Sequence, residues 1–305
     1  MRVKKINLQN FINDRAEKAN ISCKTHIVTV FGDVVSQHGN WIWLGSLIET
    51  LSLLGFSERL VRTSVFRLVK DDWLQVKKVG RKSFYSFTET AHNHYTKAAR
   101  RIYATNTQHD DDKWLLVIPS FVEEEKLISF KRQLKWLGFS SLASNVYAHP
   151  SIEQSSLEDT IKELDIADSV VIFSSQTIDD SSTKALKKLV FEKWNLKDLQ
   201  ERYHRFIKTY EPLLGALKNK AEWSNQQCFL LRTLLVHEYR RILLKDHELS
   251  SNMLPGDWYG YKANQLIKTL YSKLRNQSCS YITNSLEAMD GNLPIASVEF
   301  NQRFN

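Results

Sequence analysis

The chain has 305 residues, of which 42% are hydrophobic and 25% charged, a composition that supports a buried core, excludes bulk disorder and predicts two or three domains. Three widely spaced cysteines exclude a disulfide framework and a zinc ribbon, and no apolar run reaches the roughly 20 residues that span a bilayer. No apolar stretch follows the basic N-terminus, so no signal peptide is indicated. We therefore expect a soluble, cytoplasmic protein without a bound metal.

The net charge of +8 is distributed unevenly along the chain. Residues 1–109 hold 17 Lys and Arg against 8 Asp and Glu, whereas the rest of the chain holds 25 against 26. The positive excess therefore belongs to the first third, and it predicts a polyanion as the partner of that segment.

The first 60 residues contain signals for short helices. The run "IVTVFGDVV" is rich in β-branched residues, but its apolar residues recur at helical spacing, which favours a helix over 24–38. After a possible short strand in "NWIWL", Ser46 and Glu49 have the spacing of a capping box, and Gly55 closes the helix that they predict. Ser57 offers a second N-cap. Two short helices joined by such a turn indicate a helix-turn-helix.

The second helix of this pair, predicted over residues 58–70, has two contrasting faces. The apolar half consists of Leu60, Val61, Ser64, Val65, Leu68 and Val69. The other half consists of Arg59, Arg62, Thr63, Phe66, Arg67 and Lys70. Solvated faces usually mix signs, whereas this one has cations and no anion, and Arg and Thr suit guanine, phosphate and the thymine methyl group. We predict that all of these residues except Phe66 bind DNA, while Phe66 either touches a base or packs under the next element.

The segment "WLQVKKVGRKSFYSF" predicts two strands joined through residues 79–81. Its tip carries four cations, Lys77, Lys78, Arg81 and Lys82. A basic hairpin directly after a helix-turn-helix indicates a winged helix, whose helix enters the major groove while the wing reaches adjacent phosphates. The four tip cations are therefore further predicted DNA contacts. A helix follows over residues 88–103.

The stretch "VFGDVVSQHGNWIWLGSLIETLSLLGFSERLVRTSVFRLVKDDWL" resembles the N-terminal domain of PaaX-type regulators, and "SERLVRTSVFRLV" is the specific core of the resemblance. The resemblance implies a bacterial repressor of phenylacetate-degradation genes that binds double-stranded operator DNA.

The middle of the chain begins after an acidic linker predicted at 105–113. "WLLVIPS", "SLASNVYAHP" and "SVVIFSS" are predicted as three strands that alternate with two helices, which fits an α/β sandwich of ferredoxin type. The PaaX resemblance implies a domain similar to the CRISPR protein Cas2 here. Cas2-like nucleases place an acid at the end of their first strand, where this chain has Pro119 and Ser120. We therefore expect a packing or dimerising module and no nuclease.

Residues 184–275 are predicted to be helical. One helix is expected to stop near Pro212, and a capping box of Ser224 and Gln227 opens the next one. "HEYRR" lacks the second histidine of the zinc motif HExxH, which excludes a metalloprotease. The tail after about residue 276 has no clear pattern, and we expect it to be poorly ordered.

"LVHEYRRILLKDHELSSNMLPGDWYGYKA" is similar to the C-terminal domain of PaaX regulators. The inducer of that family is phenylacetyl-CoA, so the resemblance implies an effector ligand and no cofactor. Such a ligand needs cations for its phosphates, for which Arg240, Arg241 and Lys262 are candidates, and an apolar slot, for which His237 and Trp258 are candidates. Purely structural roles are the alternative for each of the five.

These observations predict an α+β multidomain protein with a winged helix-turn-helix over 1–108, a ferredoxin-like, Cas2-like α/β domain over 109–180 and a helical, effector-binding domain over 181–305. The function that they favour is a homodimeric repressor that an aryl-acyl-CoA releases from DNA. Two alternatives stay open. The first is an enzyme acting on nucleic acid or a CoA thioester, against which stand the missing G-x-S-x-G motif and the missing carboxylate cluster. The second is a DNA-binding protein without an effector.

Overall fold

The computed structural model describes residues 6–18, 22–103, 113–150, 155–218, 223–247 and 249–304. Contacts divide the chain into two units. The first consists of Met1–Thr105, Phe206–Arg240 and Ala263–Asn305, and the second of Asn106–Arg205 and Arg241–Lys262. The three domain ranges predicted from the sequence stay a prediction, and the predicted linker lies outside the described residues except for its last residue.

The amino-terminal part of the first unit combines helices with a small antiparallel sheet. The helices are α1 (Leu8–Lys18), α2 (Cys23–Asp33), α3 (Leu44–Ser52), α4 (Glu58–Lys70) and α5 (Glu89–Ile102). The strands are β1 (Ile42–Trp43), β2 (Leu74–Val79) and β3 (Lys82–Phe87), in the order β1-β3-β2. Nearly every side chain of α2 is buried, so the β-branched run predicted as a helix forms the central helix of this unit.

The two predicted helix starts in this region have different outcomes. Ser57 caps α4 as expected, because its hydroxyl accepts the N–H of Leu60 at 3.3 Å. The capping box at Ser46 is wrong, since α3 already begins at Leu44. The buried hydroxyl of Ser46 instead accepts the N–H of Glu287 at 3.0 Å. A partner so distant in the sequence leaves no local signal.

The second unit contains a four-stranded antiparallel sheet in the order β5-β6-β4-β7. Its strands are β4 (Trp114–Pro119), β5 (Ser140–Ala143), β6 (Val146–His149) and β7 (Val170–Ser175), and its helices are α6 (Glu124–Trp136) and α7 (Ser155–Glu163). The chain order β4-α6-β5-β6-α7-β7 is that of a ferredoxin-like fold. Leu115 and Val117 of β4 pack with Phe130 and Leu134 of α6 and with Leu157 of α7 in one core.

The single strand predicted in "SLASNVYAHP" is wrong, because this segment forms two strands, β5 and β6. The chain reverses between them at Ser144 and Asn145, and Asn145 has a φ of 55°. Asn adopts this left-handed conformation more readily than most residues. The Ser-Asn pair inside an otherwise strand-like run was therefore the missed turn signal.

Four long helices follow, α8 (Asp180–Lys193), α9 (Leu196–Lys218), α10 (Asn225–Leu243) and α11 (Tyr259–Ser285). The capping box before α10 is confirmed, since Ser224 and Gln227 each accept the backbone N–H of the other at 3.1 Å. The expected stop near Pro212 is wrong, because α9 continues to Lys218. Burial of Leu213 and Ala216 beyond the proline offsets the backbone hydrogen bond that proline cannot make.

The tail is ordered, contrary to the expectation from its sequence. After α11 come β8 (Glu287–Ala288), β9 (Gly291–Asn292) and α12 (Val298–Asn301). Leu286, Leu293, Phe300 and Phe304 are all buried. These anchors are widely and irregularly spaced, so neither the helical nor the strand period could reveal them.

Candidate nucleic-acid interface

Helix α4 presents its predicted basic face to solvent. Arg59, Arg62, Thr63, Phe66, Arg67 and Lys70 are all exposed. Val61, Ser64, Val65 and Leu68 anchor the opposite face in the core, whereas Leu60, predicted to be buried with them, is 46% exposed. Phe66 is 69% exposed in the middle of the basic face, so it does not pack under the hairpin.

Two side chains of this face are partly held by their own helix. The guanidinium of Arg62 forms an ion pair with Glu58 at 2.7 Å, and the hydroxyl of Thr63 donates to the carbonyl of Arg59 at 2.8 Å. Glu58 begins the helix just outside the predicted arc, so the arc itself still lacks an anion. An exposed pair of this kind contributes little to stability, about 0.3–0.5 kcal/mol, and a phosphate or a base edge can replace the carboxylate.

The hairpin of β2 and β3 extends from the end of α4 and is positive at its tip. Val79 lies opposite Lys82, and Gly80, with a φ of 58°, makes the turn between them. Lys77, Lys78 and Arg81 are exposed. Lys82 differs from them, because its ammonium pairs with Glu287 and lies 4.6 Å from the ring centroid of Trp43. Its charge is therefore partly engaged within the protein.

Helix α2 supports α4 from behind. The ammonium of Lys24 forms an ion pair with Asp71, the C-cap residue of α4, and this hydrogen bond lowers the pKa of Asp71. Burial raises the pKa of Cys23 at the start of α2, and Ser64, on the buried face of α4, partly offsets that rise. The two helices therefore contact each other at the start of α2 and along the buried face of α4.

A buried ionic cluster is centred on Asp33, the last residue of α2. Its carboxylate accepts from the hydroxyls of Tyr103 at 2.7 Å and Tyr271 at 3.0 Å. Arg232 of α10 and Arg303 of the tail pair with it at 3.0 Å and 2.9 Å. Asp33 therefore joins α2 to three separate elements of the carboxy-terminal part of the first unit.

The two guanidinium groups decide the ionisation of this cluster. Burial alone would raise the pKa of Asp33, but Arg232 and Arg303 more than reverse that effect, so the pKa lies below its ordinary value. Arg303 also donates to the carbonyl of Gly32 at 3.1 Å and stacks 3.9 Å from the ring centroid of Tyr103. One buried anion thus compensates two buried cations.

A second buried polar cluster lies between α2 and α10. Arg240 donates to the hydroxyl of Thr29 at 3.1 Å and to the carbonyl of Thr25 at 3.5 Å. The Nδ1 atom of His237 lies 2.9 Å from the same hydroxyl, and the rings of His26 and His237 have centroids 4.7 Å apart. His237 and Arg240 are two of the effector contacts predicted from the sequence, and His26 and Thr29, which lie beside them, were not singled out there.

This second cluster lacks the carboxylate that the first one has. Burial lowers the pKa of Arg240, and within the described ranges no acidic side chain forms an ion pair with it. Both ring nitrogens of His26 are buried without a hydrogen-bond partner among the described residues. A buried cation next to orphaned polar atoms is costly, and a bound anion would relieve that cost.

The burial of His26 predicts a loss of stability in acid. Burial, aided by the charge of Arg240, lowers the pKa of His26 from 6.5 to about 3. Between those values the unfolded chain binds a proton that the folded chain does not, so the free energy of unfolding falls as the pH drops below 6.5. At pH 5 this contribution amounts to about 2 kcal/mol.

Urea unfolding of the parent and of His26→Leu between pH 7.5 and 5 measures this contribution. We expect the parent to lose about 2 kcal/mol more than the variant over this range. His92→Leu, which replaces an exposed histidine, is the matched control for the loss of a histidine side chain. Equal losses in the parent and in His26→Leu would contradict the prediction.

The other predicted effector residues belong to the second unit. Trp258 is buried, with its ring edge-on to Tyr203 at a centroid distance of 5.8 Å, while Arg241 and Lys262 are exposed. This geometry does not test whether the five residues contact an effector, so their assignment stays a prediction.

The described part of the chain lacks two further kinds of structural feature. None of its helices combines the length and apolar character needed to cross a membrane. Nor do its His, Cys, Asp and Glu side chains form a group of three that could hold a metal ion.

Comparisons with known proteins cover most of the sequence. Three family models match: "PaaX-like protein" over residues 22–91, "PaaX protein central Cas2-like domain" over 107–187 and "PaaX-like protein C-terminal domain" over 194–284. A solved structure, "Uncharacterized protein Rv0674 from Mycobacterium tuberculosis", is similar with a TM-score of 0.47 and 18% identity, over 81% of this chain and 94% of that one.

A curated relative is similar over nearly the whole length. "Transcriptional repressor PaaX" of Escherichia coli K12 is 35% identical over 298 residues, which are 97% of this chain and 94% of that protein. Because this relative is a transcriptional regulator, the prediction that the chain is not an enzyme is confirmed. From the three family models and this relative it follows that the chain belongs to the PaaX family of transcriptional regulators.

Proposed function

We propose that this protein is a transcriptional repressor of phenylacetate-degradation genes that binds operator DNA as a homodimer and that phenylacetyl-CoA, or a similar aryl-acyl-CoA, releases from it. In this proposal α3, α4 and the β2–β3 hairpin act as a winged helix-turn-helix. The name of the Escherichia coli relative supports the repressor role.

The observation that carries the proposal is the exposed face of α4. Four cations and a threonine project from one rigid helix whose other face is locked into the core, and a second group of exposed cations follows on the adjacent hairpin. An α-helix fits the major groove of B-DNA, and phosphates border the groove on both sides. In this proposal Arg62 and Arg67 form forked hydrogen bonds with guanine, while Arg59, Thr63 and Lys70 contact the DNA backbone.

The hairpin makes a separate, sequence-independent contribution in this proposal. Lys77, Lys78 and Arg81 reach phosphates next to the groove, whereas Lys82, bound to Glu287, mainly fixes the hairpin to the tail. Each phosphate contact releases condensed counterions, so its loss flattens the salt dependence of binding.

A salt titration therefore separates the exposed tip cations from Lys82. Combined Lys77→Ala and Arg81→Ala should reduce the slope of log K against log salt by about 2. Lys82→Ala should change the slope by less than Lys77→Ala alone or Arg81→Ala alone. Fluorescence anisotropy on a labelled duplex at several salt concentrations measures the slopes. Equal slopes for the parent and the double variant would place the hairpin away from the DNA.

The effector half of the proposal rests on the cluster around Arg240. This buried cation lacks an acid partner among the described residues, and its hydrogen bonds reach Thr25 and Thr29 of α2, the helix that supports α4. A ligand whose anionic or carbonyl oxygens engage Arg240 and His237 acts on α2, and through α2 on the DNA-binding helix. Trp258, Arg241 and Lys262, which belong to the second unit, stay proposed effector contacts.

Release by the ligand follows thermodynamic linkage. Phenylacetyl-CoA lowers the affinity for DNA only by the factor by which it binds the DNA-free arrangement of the protein more tightly than the DNA-bound one. The test is to titrate phenylacetyl-CoA into the protein–DNA complex and to follow anisotropy, with phenylacetate and free CoA as controls. We expect the thioester to release the protein from DNA and the two controls not to. The variants Arg241→Ala and Lys262→Ala should need a higher concentration of the thioester for release. A complex that no thioester releases would favour the effector-independent DNA-binding protein.

A further inference from the structure

Phe66 is the one residue on the exposed face of α4 to which the proposed function gives no role. Its side chain is 69% exposed, and every other aromatic side chain among the described residues of the first unit is buried or half-buried. Single exposed apolar residues are common on protein surfaces, so exposure alone assigns no role to this ring. Its position on the helix and its neighbours set it apart.

The ring of Phe66 is directed away from the core. Val61, Val65 and Leu68 occupy the buried face of α4. The helix continues from Phe66 for a further turn to Lys70, so the backbone at Phe66 is helical and the direction of its side chain is set by the helix. Phe66 therefore projects into solvent from a fixed position on a rigid element.

Cations surround this ring without covering it. Arg62 lies one turn before Phe66 and Lys70 one turn after it, and residues four apart are neighbours on a helix surface. The guanidinium of Arg62 pairs with Glu58, a further turn back, at 2.7 Å. Within the described ranges neither a cation nor another ring stacks on Phe66. A ligand of the basic face therefore meets an uncovered apolar ring at its centre.

The major groove of DNA offers one kind of group that suits such a ring. Most of the base edges in this groove present hydrogen-bond donors and acceptors, which a phenyl ring does not satisfy. The C5-methyl group of thymine is the exception, and apolar side chains contact it. Rings that wedge between base steps enter from the minor groove, which is too narrow for an α-helix.

The spacing along α4 relates this thymine to the guanine assigned to Arg62. A helix rises about 1.5 Å per residue, so Arg62 and Phe66 are about 6 Å apart along its axis. Successive bases of one strand are about 3.4 Å apart along the duplex. A base that Phe66 contacts should therefore lie within about three base pairs of the base that Arg62 contacts.

We propose that Phe66 contacts the C5-methyl group of a thymine in the major groove and thereby selects an A·T pair close to the G·C pair read by Arg62. The inference rests on the proposed function, in which α4 enters that groove, and it adds an apolar contact to the polar ones. Cytosine that is methylated at C5 presents a methyl group at the same ring position. The DNA affinity of the protein should therefore also respond to cytosine methylation at this base pair.

Replacement of thymine by deoxyuridine, which removes only the methyl group, tests this contact. The probe is a duplex that the full-length parent selects from a random library, with each thymine replaced in turn, and anisotropy titrations give the affinities. At the contacted thymine the replacement should weaken binding of the parent about fourfold, the factor that corresponds to burial of one methyl group. Phe66→Ala should bind the unmodified duplex more weakly than the parent and lose nothing further on this replacement.

Two further variants are the controls. Phe121→Ala removes an 84% exposed ring from the second unit and should keep the parent's difference between thymine and deoxyuridine. Phe66→Leu keeps an apolar side chain at the position and should retain part of that difference. Both Phe66 variants should fold, because the side chain is exposed and alanine and leucine favour a helix.

Methylated cytosine gives a readout in the opposite direction. In a duplex with cytosine in place of the contacted thymine, methylation at C5 restores the methyl group. It should strengthen binding of the parent and leave the affinity of Phe66→Ala unchanged. Equal responses of the parent and Phe66→Ala to methylation would overturn the contact.

The outcomes distinguish this inference from the proposed function. A parent that selects a motif but tolerates deoxyuridine at every thymine keeps sequence-specific DNA binding and removes the role of Phe66. Equal losses in the parent and in Phe66→Ala on replacement of the same thymine lead to the same conclusion. A parent that selects no motif contradicts the proposed function itself, and the Phe66 contact with it.

Discussion

Replacement of Asp33 by alanine is expected to lower the free energy of unfolding by about 3–5 kcal/mol. The side chain is fully buried and is the anionic partner of both Arg232 and Arg303. Its removal leaves two desolvated cations without compensation and leaves the hydroxyls of Tyr103 and Tyr271 without their acceptor. An effect of this size is comparable to a large part of the stability of an ordinary domain.

Guanidinium unfolding at neutral pH, with linear extrapolation to water, measures this loss. Asp14→Ala is the matched control, because Asp14 also forms an ion pair, with Lys18, but at the surface. That replacement should cost no more than about 1 kcal/mol. Asp33→Asn keeps the shape and removes the charge, so it should also be strongly destabilised. If Asp33→Ala lowered the free energy of unfolding by as little as Asp14→Ala does, the cluster would not hold α2 in place.

The second large effect is expected on DNA binding. Arg62→Ala and Arg67→Ala together should weaken binding to a specific duplex by about 2–6 kcal/mol, because each proposed bidentate contact of an Arg with guanine is worth about 1–3 kcal/mol. Both side chains are exposed on α4, so the fold should be retained. Anisotropy titrations on specific and scrambled duplexes separate lost base contacts from lost charge.

A charge-matched control is available on the second unit. Arg132→Ala with Lys135→Ala removes two exposed cations from α6 and should leave specific affinity nearly unchanged. The Arg62 and Arg67 variant should also discriminate less between the specific and the scrambled duplex. If the two double variants weakened binding to the specific duplex equally, α4 would contribute only general electrostatic attraction and the prediction would be wrong.

The exposed basic face of α4 could be predicted because it lies on a single helix. The period of 3.6 residues alone separates Val61, Val65 and Leu68 from the cations of α4, and the N-cap at Ser57 fixes where that helix begins. The same argument identified α2 despite its β-branched residues, because the spacing of its apolar residues outweighed their propensity. Features that depend on local sequence are therefore well predicted.

Features that depend on distant partners could not be predicted. The ion pair of Lys82 could not be predicted from its place at a basic tip, because its partner Glu287 lies more than 200 residues away along the chain. The roles of Ser46 and Arg303 depend on partners just as distant. Asp33 alone offered a signal, since a lone acid inside the apolar run "VFGDVV" suggests a buried ion pair.

The central claim is that α4 reads the sequence of a DNA duplex. Selection from a library of random duplexes by the purified full-length chain tests it most directly. The account predicts that the parent enriches one motif with two-fold symmetry and that the Arg62→Ala, Arg67→Ala variant enriches none. Enrichment of no motif by the parent, or of the same motif by the variant, would contradict it.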